Sequence, residues 1–373
     1  MNRREFVGGV FGSALAMAWP QAANAADRNT SGAAAVDDLD VVLAPVLRES
    51  GLPALAAGAV KEGRICAAGA VGLRMAGAPA RVTVEEKFHI GSCTKAMTAT
   101  LAAMAVEEDK LKWESSLASI FPERRDKMDS AFREVTLEML LTHRAGLPHD
   151  GSYYGKPRAP VTEQRLAYMD AVLAEPPPNK VDSFNYSNAG YLIAGAMLER
   201  VTAKSWEEAI RERLFKPLAM TTAGFGVAMT DRQTDQPWGH VLKDNNFVPR
   251  YGDNHRALGP AGTVHCSIKD YLKFAALHAS LGSRPPGLLN KESCDKLHEP
   301  AKDGYAMGWG VVDRSWARGK ALTHAGSNTM NYFVVWVAPK LDFALAVATN
   351  AAGDKAPAAL DRVAGALVKK FCS

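Results

Sequence analysis

The segment Phe88-His89-Ile90-Gly91-Ser92-Cys93-Thr94-Lys95 passes from a short extended stretch through a glycine turn into a helix. Apolar spacing at Met97, Leu101, Met104 and Ala105 predicts that the helix runs from Thr94 to Glu108. Ser92 then stands at its first turn, with Lys95 one turn further on. Residues three apart on a helix share a face with β-carbons about 5–6 Å apart, so the Lys95 amine can reach the Ser92 hydroxyl. The Ser92 backbone N–H lacks an intrahelical partner and can point at a developing oxyanion. A lysine buried near the positive end of a helix is disfavoured as a cation, which pushes it toward the neutral amine a base must be. Ser92 reads as a nucleophile with Lys95 as its proton acceptor. The bland reading is a helix cap beside a solvated lysine.

Two later segments supply further polar groups. Tyr186-Ser187-Asn188 follows Pro176-Pro177-Pro178 and precedes a helix predicted from Ala189 to Val201 by Leu192, Ile193, Ala196, Met197 and Val201. Asn188 reads either as the cap of that helix or as an amide that binds a substrate carbonyl while restraining Lys95. Tyr186 reads either as a buried phenol with one hydrogen bond or as a proton carrier. The second role requires its ordinary pKa of about 10 to fall, or a proton shared with Lys95. Which of the two is the formal base stays open at this level. His324 lies in Ala321-Leu322-Thr323-His324-Ala325-Gly326-Ser327, at a strand end before the run Tyr332 to Val337. Gly326 permits close backbone approach, which places the Ser327 N–H as a second oxyanion donor. Tyr332 to Val337 and Phe343 to Thr349, joined at Pro339 to Asp342, predict a hairpin beside this segment.

The order S-x-x-K, Y-x-N and H-x-G, together with Leu140 to Pro148 and Gly259-Pro260-Ala261-Gly262, resembles the penicillin-recognising serine hydrolases. The branch it resembles is the class C β-lactamase-like group, which includes D-alanyl-D-alanine carboxypeptidases and family VIII esterases. The resemblance runs from about Val41 to Lys370. It implies an α/β (α+β) fold of the β-lactamase/transpeptidase type. It implies Ser92 as the acylated residue, Lys95 and Tyr186 as proton carriers, and Asn188 and the third-motif residue His324 as substrate-positioning groups. The Ser92 and Ser327 amides would form the oxyanion hole. Two departures matter. Many β-lactamases of the group have lysine where His324 stands, and an ordinary histidine is at best a partial cation at neutral pH. The S-D-N and K-T-G pattern of class A is absent, which argues against that class. The expected function is hydrolysis of a small ester, a β-lactam or a D-amino-acid peptide through an acyl-enzyme on Ser92. The alternative is a penicillin-binding or cell-wall sensor that deacylates slowly or does not react.

The first residues carry a separate signal. Asn2-Arg3-Arg4-Glu5-Phe6, the apolar or small-residue stretch Val7 to Trp19, and Ala23-Asn24-Ala25 predict a twin-arginine signal peptide over 1–25 and a periplasmic or exported product. Beyond it no run of about 18 apolar residues predicts a membrane span. The strand-like segments cluster at the two ends of the chain. An antiparallel sheet flanked by helices is therefore expected from 26–111 and 263–373, with a mostly helical domain inserted over 112–262 and the site at the seam. Within the insertion, Val227 to Leu258 reads as an irregular wall carrying Trp238, Phe247 and Tyr251, and His149 to Pro160 as part of the rim. His143 reads as structural. Five cysteines without C-x-x-C spacing predict buried free thiols rather than a zinc or redox site, and no cofactor or metal is expected. A net charge of +4, dispersed along the chain, leaves no nucleic-acid footprint, and the partner the resemblance implies is a small-molecule substrate or a cell-wall peptide.

Overall fold

The computed structural model describes residues 37–372. The leader read at 1–25 lies outside them. Among the described residues twelve strands form: β1 (Asp37–Asp38), β2 (Ala54–Lys61), β3 (Arg64–Gly72), β4 (Phe88–His89), β5 (Gly224–Phe225), β6 (Gly239–Lys243), β7 (Asn246–Arg250), β8 (Val264–Cys266), β9 (Gly310–Arg314), β10 (Gly319–Ser327), β11 (Tyr332–Ala338) and β12 (Phe343–Thr349). Seven of these make one sheet in the order β1-β3-β2-β12-β11-β10-β9. All its pairings are antiparallel except that of the two-residue β1, which runs parallel to β3. The sheet is therefore mixed at one edge.

The pleat explains how the sheet is covered. Along β12, Phe343, Leu345 and Val347 point to one face, where they meet Leu360, Val363 and Leu367 of the helix Lys355–Phe371 and Leu43 of the helix Asp40–Ser50. The alternate residues Ala344, Ala346 and Ala348 point to the other face, toward Tyr271 and Leu272 of the helix Ile268–Ala279. The small side chains let that helix sit close. A β-carbon on Gly58 would come within 2.8 Å of Leu272. With both faces covered, β2 and β12 read as continuous buried runs rather than as alternating ones.

Three elements differ from the sequence expectation. The sequence predicts a strand from Ala306 through Val312, but the strand begins only at Gly310, because Gly308 turns with φ +82° against the helix Thr94–Glu107, where a β-carbon would lie 2.5 Å from the Ala96 Cα. His324 is not at a strand end. It lies within the nine-residue β10, opposite Val335, and the polar Lys320, Thr323 and His324 masked that strand's pattern. The Val227 to Leu258 stretch contains the hairpin β6–β7, turning at Asp244 and Asn245, both with positive φ. A small sheet, β4-β8-β5, ties the strand before Ser92 to the segment after Gly262.

Candidate active site

Ser92 sits in the 3-10 turn Gly91–Cys93 that leads into the helix Thr94–Glu107. This turn and β10 are in unusually close backbone contact. A β-carbon on Gly91 would fall 2.2 Å from the Ser327 nitrogen, and one on Gly326 would fall 2.8 Å from the Ser92 nitrogen. Only glycine at both positions lets the two segments meet, and this brings the Ser92 and Ser327 amides to the same place. Two N–H donors converging beside a hydroxyl can hold an oxyanion.

Lys95 is fully buried, with its Nζ 3.1 Å from Ser92 Oγ, 2.6 Å from Asn188 Oδ1 and 2.8 Å from the Ala261 carbonyl oxygen. Desolvation pulls its pKa from 10.5 down to about 7, against the opposing pull of the Asp150 carboxylate. The three oxygens around the amine are neutral, so none pays back the lost hydration of an ammonium as a carboxylate would. A second S-x-x-K, Ser293 to Lys296, shows that spacing alone does not make a base. Lys296 is one-third exposed and ion-paired with Glu138 at 3.2 Å.

Asn188 is the first residue of the helix Asn188–Thr202, and Ser187 is its cap, accepting from the Gly190 N–H at 3.1 Å. The Asn188 amide is thereby free to bridge Lys95 to Asp150, its Nδ2 donating to Asp150 Oδ1 at 3.1 Å. The Tyr186 ring lies 4.9 Å from Lys95 Nζ, and its hydroxyl faces Ser92. Burial pushes the phenol up, with the Ser92 hydroxyl pulling the other way. It is therefore held protonated. His324 is buried, its Nε2 3.2 Å from the Tyr305 hydroxyl and its Nδ1 2.7 Å from the Ala325 carbonyl oxygen. Burial, reinforced by Lys95, lowers its pKa to about 4. A neutral imidazole stands in the third motif.

Several groups that hold the site were not singled out from sequence. His143, read as structural, adopts φ +59° and accepts the Ser187 N–H on Nδ1 at 3.1 Å, while its ring packs 4.3 Å from that of Tyr186. Its carbonyl accepts the Asn185 N–H. The Tyr-Ser-Asn motif is thus seated on the Thr142–His149 turn. Arg165, fully buried, pairs with Glu199 and Glu207 and donates to the Ala257 carbonyl at 3.0 Å, which anchors the strap that carries Ala261. His89 accepts the Gly91 N–H at 3.0 Å and faces Asp253 at 2.9 Å, and Asp253 in turn accepts from Asn328. Asp150 carried no sequence signal beyond its place in a turn-rich rim.

Above Ser92 opens a cleft of about 440 Å³ whose lining includes Asn188, Ser327, Asp150, Tyr154, Asn254 and Leu258. Trp238, Phe247 and Tyr251 do not line it. A larger cleft of about 1030 Å³, at the Glu107 end of the same helix, offers no paired nucleophile and base. Cys93 is buried beside Ser92, its thiol pushed up by desolvation and 3.5 Å from the His324 carbonyl oxygen. All five cysteines are free thiols. Among the described residues no group of three or more His, Cys, Asp or Glu is placed to hold a metal, and no helix is long and apolar enough to cross a membrane.

The chain matches the Beta-lactamase family model over residues 34–370. It is 27% identical to penicillin-binding protein 4 of Amycolatopsis lactamdurans, over 75% of this chain and 76% of that protein. It is 26% identical to the unguisins hydrolase ungD' of Aspergillus campestris, over 61% of this chain but only 46% of that protein. Its fold superposes on a class C beta lactamase from Rhodobacter sphaeroides with a TM-score of 0.70 and 20% identity, covering 88% of this chain and 98% of the other. A D-alanine carboxypeptidase from Burkholderia cenocepacia gives the same TM-score and identity, covering 88% and 97%. With a family match spanning nearly all the described residues and the fold to go with it, the chain belongs to the beta-lactamase family of serine hydrolases.

Proposed function

We propose that the protein hydrolyses an ester or amide through an acyl-enzyme on Ser92. The observation that carries this reading is the buried Lys95 amine, 3.1 Å from Ser92 Oγ and held only by neutral oxygens. Above about pH 7 Lys95 is mostly the neutral amine and takes the Ser92 proton as Oγ attacks the substrate carbonyl. The Ser92 and Ser327 N–H groups hold the oxyanion. The Tyr186 phenol, protonated and facing Ser92, delivers a proton to the leaving group and is restored through Lys95. Water then attacks the acyl carbon, with the same groups working in reverse. The protonated state of Tyr186 favours Lys95 as the base and Tyr186 as the relay.

The test is initial rates on p-nitrophenyl butyrate, nitrocefin and a D-Ala-D-Ala peptide for the wild type and Ser92→Ala. Turnover of at least one substrate that vanishes in Ser92→Ala supports the reading, and rates that survive the substitution refute it.

A further inference from the structure

The cleft above Ser92 has a one-sided charge inventory. No lysine or arginine is among the residues that line it. Lys95 lies beneath its floor, fully buried, with its hydrogen bonds directed at protein oxygens. His324, which stands where many β-lactamases of the group have lysine, is buried and turned onto Tyr305 and the Ala325 carbonyl. Asp253, the nearby acid, has a buried side chain, with its Oδ1 taken by His89, Asn328 and the Asn254 N–H.

Asp150 is different. It lines the cleft with its side chain 41% exposed, and it carries only two side-chain partners: Asn188 Nδ2 on Oδ1 at 3.1 Å and His149 Nδ1 on Oδ2 at 2.5 Å. An ionised carboxylate has about four acceptor sites, so acceptor capacity remains for a ligand. Asn188, which holds it, also holds Lys95, so the carboxylate is fixed relative to the reacting hydroxyl. A substrate bearing a free carboxylate finds no lysine or arginine here, only the exposed His149 imidazole already engaged by Asp150, and meets a fixed anion. One bearing an ammonium finds a charged acceptor.

Resting on the acyl-enzyme reading above, we infer that Asp150 is a specificity-determining residue, selecting acyl donors that carry an ammonium group a few atoms from the scissile carbonyl over those that carry a carboxylate. The favoured class is amino-acyl esters and amides with a free amine.

Three nearly isosteric p-nitrophenyl esters test this: β-alanyl (ammonium), butyryl (neutral) and succinyl (carboxylate), each corrected for spontaneous hydrolysis. In the wild type kcat/KM is expected to favour β-alanyl over butyryl by about 10- to 100-fold, the worth of a hydrogen bond to a charged group, with succinyl below both. Asp150→Asn is expected to bring the β-alanyl to butyryl ratio close to one, and added salt to lower it in the wild type. A wild-type ratio near one, a preference for succinyl, or a ratio unchanged in Asp150→Asn overturns the inference. The wild-type ranking stands as a test even if that variant fails to fold. Butyryl turnover without charge preference defeats this inference alone, whereas absence of turnover and of acylation with every ester defeats the acyl-enzyme reading with it.

Discussion

Gly326 lies so close to Ile90 that a β-carbon on it would fall 2.0 Å from the Ile90 carbonyl oxygen. No side chain can yield there, since the obstacle is backbone, so Gly326→Ala must push β10 away from the Ser92 turn. Loss of one oxyanion donor costs about a hundred- to a thousandfold in turnover, and kcat of Gly326→Ala should fall by at least that much. Circular dichroism alongside kcat checks that the sheet survives. Unchanged kcat would show that the two amides do not act together.

In the proposed mechanism Lys95 sets the acid limb of activity. Its ammonium must lose a proton before it can act, so kcat/KM for a neutral ester should rise with pH through about 7 and level off above it. Asp150 favours the protonated form, so removing its charge lowers the Lys95 pKa further, and Asp150→Asn should move the limb to lower pH. A pH profile of the two proteins on p-nitrophenyl butyrate reads the shift directly.

His143 bears on Tyr186 and Asn188 through the backbone. His143→Phe removes the acceptor of the buried Ser187 N–H, an unpaired donor worth about 1–3 kcal/mol, and puts a bulky residue at φ +59°. Asparagine tolerates that conformation and offers an acceptor. His143→Phe should therefore lower both Tm and kcat, and His143→Asn should recover part of each.

Much of the site was legible because it is local. Ser92 and Lys95 are one helical turn apart, so the spacing allowed their meeting, which burial of Lys95 then enforces. Gly326 announced a close approach because no other residue allows one. Asp150 was not legible, because its role depends on where Asn188 arrives from 38 residues away. His143 was read as structural, which it is, but its positive φ and bond to Ser187 were not legible because they are products of tertiary placement. The β6–β7 hairpin could have been found from Asp244-Asn245, a pair suited to positive φ at a tight turn. Strand β10 was not read at its full length because the polar Lys320, Thr323 and His324 interrupt its apolar pattern.

Acid should unfold the protein early. His265, His298 and His324 are buried and neutral, and burial holds their pKa values at about 4, 3 and 4. Between those values and the unfolded value near 6.5 the unfolded chain binds more protons, so stability is lost as pH falls through that window. At pH 5 each contributes a loss of up to about 2 kcal/mol. Thermal unfolding at pH 7.5 and pH 5 should show a markedly lower Tm in acid, and His298→Asn should narrow the gap.

In the proposed mechanism the Ser92 hydroxyl, deprotonated by Lys95, is the group that becomes covalently acylated. Intact-mass spectrometry after brief exposure to a fluorophosphonate at pH 8 tests it most directly, on the wild type, Ser92→Ala and Lys95→Met. The account predicts one adduct on the wild type, mapped by digestion to Ser92, none on Ser92→Ala, and labelling slowed by at least about a hundredfold on Lys95→Met. An adduct that persists at full rate on Ser92→Ala, or that maps to another residue, would contradict it.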